Sequence, residues 1–224
     1  MEYKGVARGL FIERVNRFIA YVDIDGEVIK CHIKNTGRCK ELLVRGASVY
    51  LEESDNASRK TRYSLIAVEK GNILTNMDSQ APNKVVCEGI DKIFKNVTYL
   101  KRECKYLNSR FDFYMERGEE KAFIEVKGVT LEEEGVVRFP DAPSQRAIKH
   151  LEELIKAIEN GYKAYVIFVI QLRGAKYFEP NYITHREFGE KLREAKEKGV
   201  EILAYDCNVA SNFLCINERV ECRV

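Results

Sequence analysis

Three residues that could support phosphate chemistry lie in two neighbouring runs of alternating apolar and polar residues. Asp112 belongs to the first run, and Glu125 and Lys127 belong to the second. Alternation of this kind predicts strands with one buried face. The residues expected on the apolar face of the first strand, opposite to Asp112, are Phe111, Phe113 and Met115. A hairpin of these strands would bring the two acids and the lysine together.

The link between the two runs determines which residues face each other. Gly118-Glu119 is the expected two-residue turn, since glycine suits the first position of a type II′ connection. That register places Asp112 opposite Glu125, with Cβ atoms about 4.5–5.5 Å apart. Like charges that face each other destabilise a sheet. We therefore expect a cation between the two carboxylates.

The hairpin offers the oxygen ligands that a hard divalent cation prefers. The carboxylates of Asp112 and Glu125 and the main-chain carbonyl of Val126 suit Mg²⁺ or Mn²⁺. Glu88, on a preceding predicted helix, could supply a further acid. Lys127 projects from the same face as Glu125 and could orient a water molecule or stabilise charge on a phosphate. Such a site could hydrolyse a phosphodiester. The alternative is an exposed strand face of mixed charge, which needs no metal.

Composition places the chain among ordered globular proteins. It has 224 residues, of which 45% are hydrophobic and 32% are charged. No apolar run reaches the length of about 18 residues that a transmembrane helix needs, and no apolar core of a secretory signal follows Met1. Seven scattered cysteines without a C-x-x-C pair, and only three histidines, make a zinc site a poor prediction. We therefore expect a protein of the reducing cytoplasm that has no membrane partner. The sequence does not determine whether the chain forms a homo-oligomer.

Residues 1–78 have the pattern of a small β-barrel. Short alternating runs, with Asp25-Gly26 as a strong hairpin signal, indicate about five strands. The net charge of +2 by itself indicates no polyanionic partner, but basic residues cluster within 30–45 and again within 59–62. A domain boundary is expected after residue 78, where the pattern of short strands gives way to alternating helices and strands.

Residues 79–224 alternate helices and strands in the order α-β-β-β-α-β-α-β, so this second sheet is expected to be mixed. One helix is predicted from Ser144 to Asn160 and another from Arg186 to Lys198. Asp141 is expected to cap the first of these helices. His150 is expected on its polar surface. The sequence from Cys207 onward predicts no element.

The two acids, the lysine and the order of elements around them resemble the PD-(D/E)-x-K nuclease superfamily. The aspartate, the second acid and the lysine of that motif correspond to Asp112, Glu125 and Lys127. The resemblance implies that Glu88 matches the first-helix glutamate of some members, and that Gln145 and Lys149 contact phosphate. Phe111 departs from the motif because a proline gives the motif its name at that place. The implied fold is a restriction-endonuclease-like α-β-β-β-α-β domain.

A wider set of motifs resembles the sugar fermentation stimulation protein A family over nearly the whole chain. They are HIKNTGR (32–38), RGASVYL (45–51), SDNASRKTRYS (54–64), IEVKGVTL (124–131), FPDAPSQRAIKHLEEL (139–154) and AYDC (204–207). The resemblance implies an α/β protein with an N-terminal OB-like barrel and a nuclease-type C-terminal domain. It also implies DNA binding and a regulatory role.

Residues of the barrel suit contact with nucleic acid. The residues predicted to contact it there are His32, Asn35, Arg38, Lys40, Arg59 and Lys60, next to Thr36 in the HIKNTGR motif. Alternatively, the Asn-Thr-Gly segment is a structural turn and the basic residues form a solvated surface. Four aromatic residues could stack on bases, although burial in the barrel core is the favoured interpretation for each. They are Phe18, Tyr21, Tyr50 and Tyr63.

Two functions from different classes follow. The first is a DNA-binding protein with a Mg²⁺- or Mn²⁺-dependent phosphodiesterase site; single-stranded and duplex DNA both stay open as substrates. The second is a non-catalytic DNA-binding regulatory protein, linked to sugar metabolism, on a nuclease scaffold. A nucleotide or sugar enzyme has no supporting motif, because the sequence lacks a phosphate-binding glycine loop.

Overall fold

The computed structural model describes residues 1–35, 37–56 and 58–224. The N-terminal part is a barrel in which neighbouring strands pair in the order β3-β2-β1-β4-β5, and a parallel pairing of β3 with β5 closes it. Thr36, which we associated with nucleic-acid binding, lies outside the described residues. The strands are β1 (Val6–Arg14), β2 (Ile19–Ile24), β3 (Glu27–Ile33), β4 (Ser48–Glu53), β5 (Tyr63–Lys70) and β6 (Ile73–Asn76), which pairs with β5.

The barrel forms where the sequence predicts it because its turn chemistry and its alternation agree. Asp25 and Gly26 both have positive φ, 54° and 87°, which the tight turn between β2 and β3 requires. Alternate residues of the strands point inward, and Val22, Leu51 and Leu65 are fully buried. The predicted five-stranded barrel is confirmed.

The C-terminal part is a six-stranded mixed sheet in the order β15-β14-β12-β9-β8-β7. Its strands are β7 (Tyr99–Tyr106), β8 (Ser109–Arg117), β9 (Glu120–Val129), β12 (Lys163–Ile170), β14 (Glu201–Ala210) and β15 (Phe213–Arg219). β9, β12 and β14 are parallel, and the outer pairs are antiparallel. The predicted mixed sheet is therefore confirmed.

Helices cover this sheet, and a separate core lies on each of its faces. Helices α1 (Ala81–Glu88) and α2 (Ile90–Ile93) pack on one face, and α3 (Gln145–Glu159) and α4 (Tyr182–Glu197) pack on the other. α4 begins four residues earlier than predicted, with a kink at His185. Ser144 caps α3 by accepting a bond from the Ala147 amide at 3.2 Å, so the predicted cap at Asp141 is wrong.

Several short strands were absent from the sequence prediction. A second sheet of four strands has the order β10-β11-β13-β16, and β15 occupies the segment after Cys207 for which no element was predicted. The four strands of the second sheet are β10 (Leu131–Glu133), β11 (Val136–Phe139), β13 (Tyr177–Pro180) and β16 (Glu221–Cys222). Runs of two to four residues are too short to show a period, which is why the sequence does not reveal them.

Gln171 joins the barrel to the C-terminal sheet. Its buried side-chain amide donates to Asn76 Oδ1 at 2.9 Å and to the Asp78 carbonyl at 3.0 Å. Its main-chain carbonyl accepts from the Asn76 amide, and its own amide donates to the Val129 carbonyl. One residue therefore links the end of the barrel to the end of β9. None of the helices within the described residues has the length and apolarity to cross a membrane.

Candidate active site

The hairpin of β8 and β9 has the predicted register only up to the candidate site. Pairs run from Arg117 opposite Glu120 to Phe113 opposite Ile124. The ladder ends there, one position short of Asp112, whose carboxylate Oδ2 instead accepts a bond from the Val126 amide at 2.8 Å. The predicted direct pairing of Asp112 with Glu125 is therefore replaced by a side-chain bond to the next residue of β9.

The chain turns about its own axis at Asp112. Phe113 and Met115 pack in the core beneath α1, as the alternation predicts, but Phe111 packs in the opposite core beneath α3. The prediction that all three share one face is wrong for Phe111. This rotation opens the hairpin, and Asp112 lies at the point where its two strands separate.

Glu125 is the most buried charged group of the site. Its side chain is only 3% exposed, and its Oε1 lies 2.5 Å from Lys127 Nζ and also contacts His150 Nδ1. Burial by itself raises the pKa of Glu125, but the charge of Lys127 and the contact with His150 outweigh it and hold the pKa below its usual range. Its other oxygen, Oε2, is buried and has no hydrogen-bond partner within the described part of the chain.

Asp112 has the opposite electrostatic character. Its Oδ1 accepts a bond from Asn83 Nδ2 at 2.6 Å, so α1 holds it in place. Burial, followed by the negative charge of Glu125, raises its pKa to about 6. Two neighbouring carboxylates that repel each other, one of them with a buried unpartnered oxygen, fit a divalent cation.

His150 is a residue of the site that the sequence analysis missed. It was expected on the surface of its helix, but it is only 6% exposed. Arg146 Nε lies 3.4 Å from His150 Nε2, so that nitrogen accepts and Nδ1–H donates to Glu125. A signal was available, because His150 follows Ala147 by three residues and precedes Leu154 by four, within the apolar stripe of α3.

Of the two α3 residues that were predicted to contact phosphate, one lies at the candidate site and the other does not. A cleft of about 500 Å³ is lined by Glu103, Asn108, Ser109, Arg110, Asp112, Arg146, Lys149 and His150. Lys149 therefore lies at the site, where its Nζ donates to the Asn108 carbonyl at 3.1 Å. Gln145 is outside the cleft lining and donates to Glu187 at 3.1 Å.

Glu88 is not brought to the cleft. Its carboxylate lies 2.6 Å from the Met1 ammonium, and its side chain is half exposed. Glu88 lies more than a turn of α1 beyond Asn83 and is paired with Met1, and its role as a metal ligand stays a prediction. Within residues 1–35, 37–56 and 58–224, no group of three His, Cys, Asp or Glu side chains is placed to hold a metal. Main-chain and water oxygens would have to complete the coordination of an ion at Asp112 and Glu125.

The barrel residues that were predicted to contact nucleic acid differ from one another in exposure and in hydrogen bonding. Asn35 Oδ1 accepts a bond from the Gly37 amide at 2.8 Å, as in the structural-turn interpretation. Arg38, Lys40 and Lys60 are exposed. Arg59 donates to Ser64 Oγ at 3.0 Å, and His32 is half-buried beside it on the neighbouring strand.

Comparison with known proteins identifies the family. The family model described as the SfsA N-terminal OB domain matches residues 12–77, and the one described as the sugar fermentation stimulation protein RE domain matches residues 80–213. The chain belongs to the sugar fermentation stimulation protein family. A family homologue from Ruminiclostridium cellulolyticum is 55% identical over 100% of both chains, and one from Clostridium beijerinckii is 56% identical over 99% of both.

A solved structure of the family agrees with the fold described above. SfsA of Pyrococcus furiosus, in complex with Ca²⁺, superimposes with a TM-score of 0.89 at 28% identity, over 100% of this chain and 98% of that chain. The family resemblance and the OB-barrel and nuclease-type fold are therefore confirmed. The roles of Asp112, Glu125 and Lys127 stay predictions.

Proposed function

We propose that this chain binds DNA and hydrolyses its phosphodiester bonds at the cleft, with a divalent cation held by Asp112 and Glu125. The observation that supports this most is the buried, unpartnered Oε2 of Glu125 beside an Asp112 whose pKa is raised. A buried carboxylate oxygen without a donor is costly unless a cation or a proton reaches it.

Mg²⁺ or Mn²⁺ is the expected ion, because both prefer oxygen ligands. Asp112, Glu125 and the main-chain carbonyl of Val126 would hold it, and the Ca²⁺ in the Pyrococcus furiosus relative supports a divalent ion in this family. When bound, the ion would polarise the phosphate and make water a better nucleophile.

The protein's own groups would position the reacting atoms. His150 donates to Glu125 Oε1 and keeps the other oxygen turned away from it, while Asn83 and the Val126 amide fix both oxygens of Asp112. Lys127 places an ammonium beside Glu125, where it can donate to an attacking water or to a phosphate oxygen.

The charges around the cleft suit a phosphate backbone. Lys149 and Arg146, which also donates to His150, line its rim, together with Arg110, which pairs with Glu103 at 3.1 Å. Arginine and lysine side chains of this kind contact phosphates without reading the base sequence. A DNA strand that crosses the rim would present its phosphates to Asp112.

The test is a cleavage assay with Mg²⁺ or Mn²⁺ on single-stranded, duplex and branched DNA. Wild type should cut at least one form, and Asp112→Asn should not. The matched control is Asp91→Asn, an exposed acid of α2, which should cut at the wild-type rate. Calorimetry should show Mn²⁺ binding in wild type and in Asp91→Asn and its loss in Asp112→Asn. Equal Mn²⁺ binding by all three proteins would remove this metal site.

A specific observation favours a second function, a DNA-binding regulatory protein without cleavage. Lys127 already offsets the charge of Glu125 without an ion, and Glu88 is absent from the cleft. The same assay separates the two functions, because a wild type that binds DNA but cuts none of the three forms is a binding protein on a nuclease scaffold.

A further inference from the structure

Phe18 is an exposed aromatic residue on the barrel, although phenylalanine is usually buried in a core. Its side chain is 50% exposed, so the favoured interpretation as a core residue is wrong for Phe18. The backbone around it is fixed on both sides, because the Phe18 amide donates to Asn16 Oδ1 at 2.9 Å and its carbonyl accepts from the Ile33 amide at 2.7 Å. The ring is therefore held at the surface by main-chain bonds rather than by burial of its own atoms.

A second ring supports Phe18 from the neighbouring strand. The imidazole of His32 lies parallel to the Phe18 ring, with an angle of 5° between the planes and 6.5 Å between the centroids. Burial, followed by the charges of Arg59 and Lys34, lowers the pKa of His32 below its usual range. The ring is consequently neutral at physiological pH, and the pair forms an uncharged aromatic surface.

Basic residues lie next to this aromatic pair, and the guanidinium of Arg17 is 5.9 Å from the centroid of the Phe18 ring. The guanidinium of Arg14 donates to five main-chain carbonyls, those of Asn16, Arg17, Asn35, Gly37 and Arg38, at 2.7–3.2 Å. This joins the loop before β2 to the loop after β3. A pocket of about 330 Å³ lies there, and Arg17, Arg38 and Lys40 line it. None of these three side chains forms an ion pair with any residue that the structure describes.

The same loops reach towards the cleft. A Cβ atom at Gly37 would lie only 2.5 Å from Asp141 Oδ2, so the loop after β3 rests on the segment that leads into α3. α3 carries Arg146, Lys149 and His150, which line the cleft. A strand held at Phe18 could therefore pass over this contact and reach the basic residues of α3 at the cleft.

We propose that Phe18, with His32 parallel to it, Arg17 beside it, and Arg38 and Lys40 in the pocket that Arg17 also lines, is a base-stacking site for single-stranded DNA. Exposed aromatic faces between cations bind single strands, because unpaired bases offer their faces while the cations contact phosphates. In an intact duplex those faces are covered by neighbouring base pairs. This inference rests on the proposed function, because it names the form of DNA that the cleft would receive. That form is a single strand, or a single-stranded segment of a larger substrate.

The experiment measures DNA affinity without catalysis. A fluorescent thymidine strand of about 16 nucleotides, a length within the usual site sizes, is titrated alone and after annealing to its complement, at one salt concentration with chelator. Phe18→Ala and Phe18→Leu should each weaken binding of the single strand about tenfold, the loss expected for one stacked base. Phe18→Tyr should retain wild-type affinity because it keeps the ring.

Two controls keep the result interpretable. Tyr99→Ala removes an aromatic residue of matched exposure, 49%, on β7 and should leave both affinities unchanged. Melting temperatures of all variants show that each is folded, and Phe18→Leu keeps most of the apolar volume if Phe18→Ala is unstable. Duplex affinity should be the same in wild type and in every Phe18 variant.

The inference is overturned if the Phe18 variants bind the single strand as tightly as wild type, if they lose affinity for both forms equally, or if wild type does not bind the single strand. The proposed function fails in a different way, by absence of cleavage in the metal assay. A protein that shows the Phe18 dependence and never cuts would retain the stacking site and lose only the nuclease activity.

Discussion

The barrel surface and the cleft use charge in opposite ways. On the barrel, Arg38, Lys40 and Lys60 are exposed, and none is paired with an acid among the described residues. In the cleft, Asp112 and Glu125 are mostly buried and are bonded to fixed donors. Exposed charges are screened by salt and act nearly independently, whereas buried charges depend strongly on each partner. Binding can therefore be spread over many replaceable residues, while the proposed chemistry depends on a few.

The largest difference between the two regions should follow the loss of Lys127. Lys127→Ala should lower the cleavage rate by about 10²–10³-fold, the usual cost of losing a group that stabilises developing charge. DNA affinity should stay close to wild type, because one charge among many phosphate contacts changes binding little. Cleavage rate and affinity are measured for each protein at one salt concentration.

The matched control for Lys127→Ala is Lys101→Ala, an exposed lysine on β7. It should cut at the wild-type rate. Loss of a buried ion-pair partner also destabilises a fold, by about 3–5 kcal/mol in typical cases. Both proteins are therefore assayed below their measured melting temperatures. A Lys127→Ala protein that cuts normally would place the chemistry elsewhere.

A smaller effect is expected at His150, which acts on the site through Glu125. His150→Ala should weaken Mn²⁺ binding by about 10–100-fold, the range typical when a group that orients a metal ligand is removed. His150→Gln keeps a side-chain N–H donor and should recover part of the affinity. Calorimetry with Mn²⁺ gives this result without any catalysis, and equal affinities in all three proteins would make His150 a packing residue only.

Asp112 should carry a stability cost, because burial and the charge of Glu125 disfavour its ionised form. Its folded-state pKa of about 6 lies above its ordinary value of 3.8, so folding favours the protonated form. Below about pH 4 Asp112 is protonated in both the folded and the unfolded chain, and its ionisation costs the fold no stability. The free energy of unfolding then falls as the pH rises through about 6. Asp112→Asn removes the cost, and Asn83 can turn its amide to keep a bond.

The metal-free Asp112→Asn protein should consequently be more stable than wild type by up to about 3 kcal/mol at pH 7 and by less than about 1 kcal/mol at pH 4. Urea unfolding of both proteins in chelator, at the two pH values, gives the difference directly. An advantage of the same size at pH 4 and pH 7 would mean that ionisation of Asp112 does not cause it.

The smallest effects belong to the barrel. Arg38→Ala and Lys60→Ala should each lower the slope of log affinity against log salt by about 0.7–0.9, the value for one lost phosphate contact. Arg62→Ala is the matched control, because Arg62 already pairs with Glu53 at 2.7 Å and has less charge to offer DNA. If neither Arg38 nor Lys60 changes the slope, DNA does not lie on this surface.

The sequence predicts those parts of the molecule that depend on local patterns. The barrel hairpin at Asp25-Gly26 and the register at Gly118 follow from turn chemistry and from alternation with a period of two. The family motifs placed Asp112, Glu125 and Lys127 on one hairpin, and the structure brings them together there. Each of these features is determined by residues that are close along the chain.

What the sequence did not predict depends on contacts between distant segments. His150 reaches Glu125 across 25 positions: its place in the apolar stripe of α3 indicates an inward side chain, but only the packing of α3 on β9 brings it to Glu125. Phe18 is exposed although its residue type favours burial, because a hydrogen bond from its amide to Asn16 Oδ1 and one from the Ile33 amide to its carbonyl fix its backbone at the surface. The rotation of β8 at Asp112 likewise depends on two cores that lie on opposite faces of the sheet.

The bonds of Gln171 have a consequence for where a strand would be cut. Gln171 is bonded both to the end of the barrel and to the end of β9, and moving the two parts away from each other would break these buried bonds. We therefore expect the separation of Phe18 and Asp112 to stay constant. If DNA is bound at Phe18 and cut near Asp112, the distance between these two residues would set the length of the product. The products would then have a constant length measured from the bound base. We expect Gln171→Ala, which removes the side-chain bonds to Asn76 and Asp78, to broaden the distribution of product lengths.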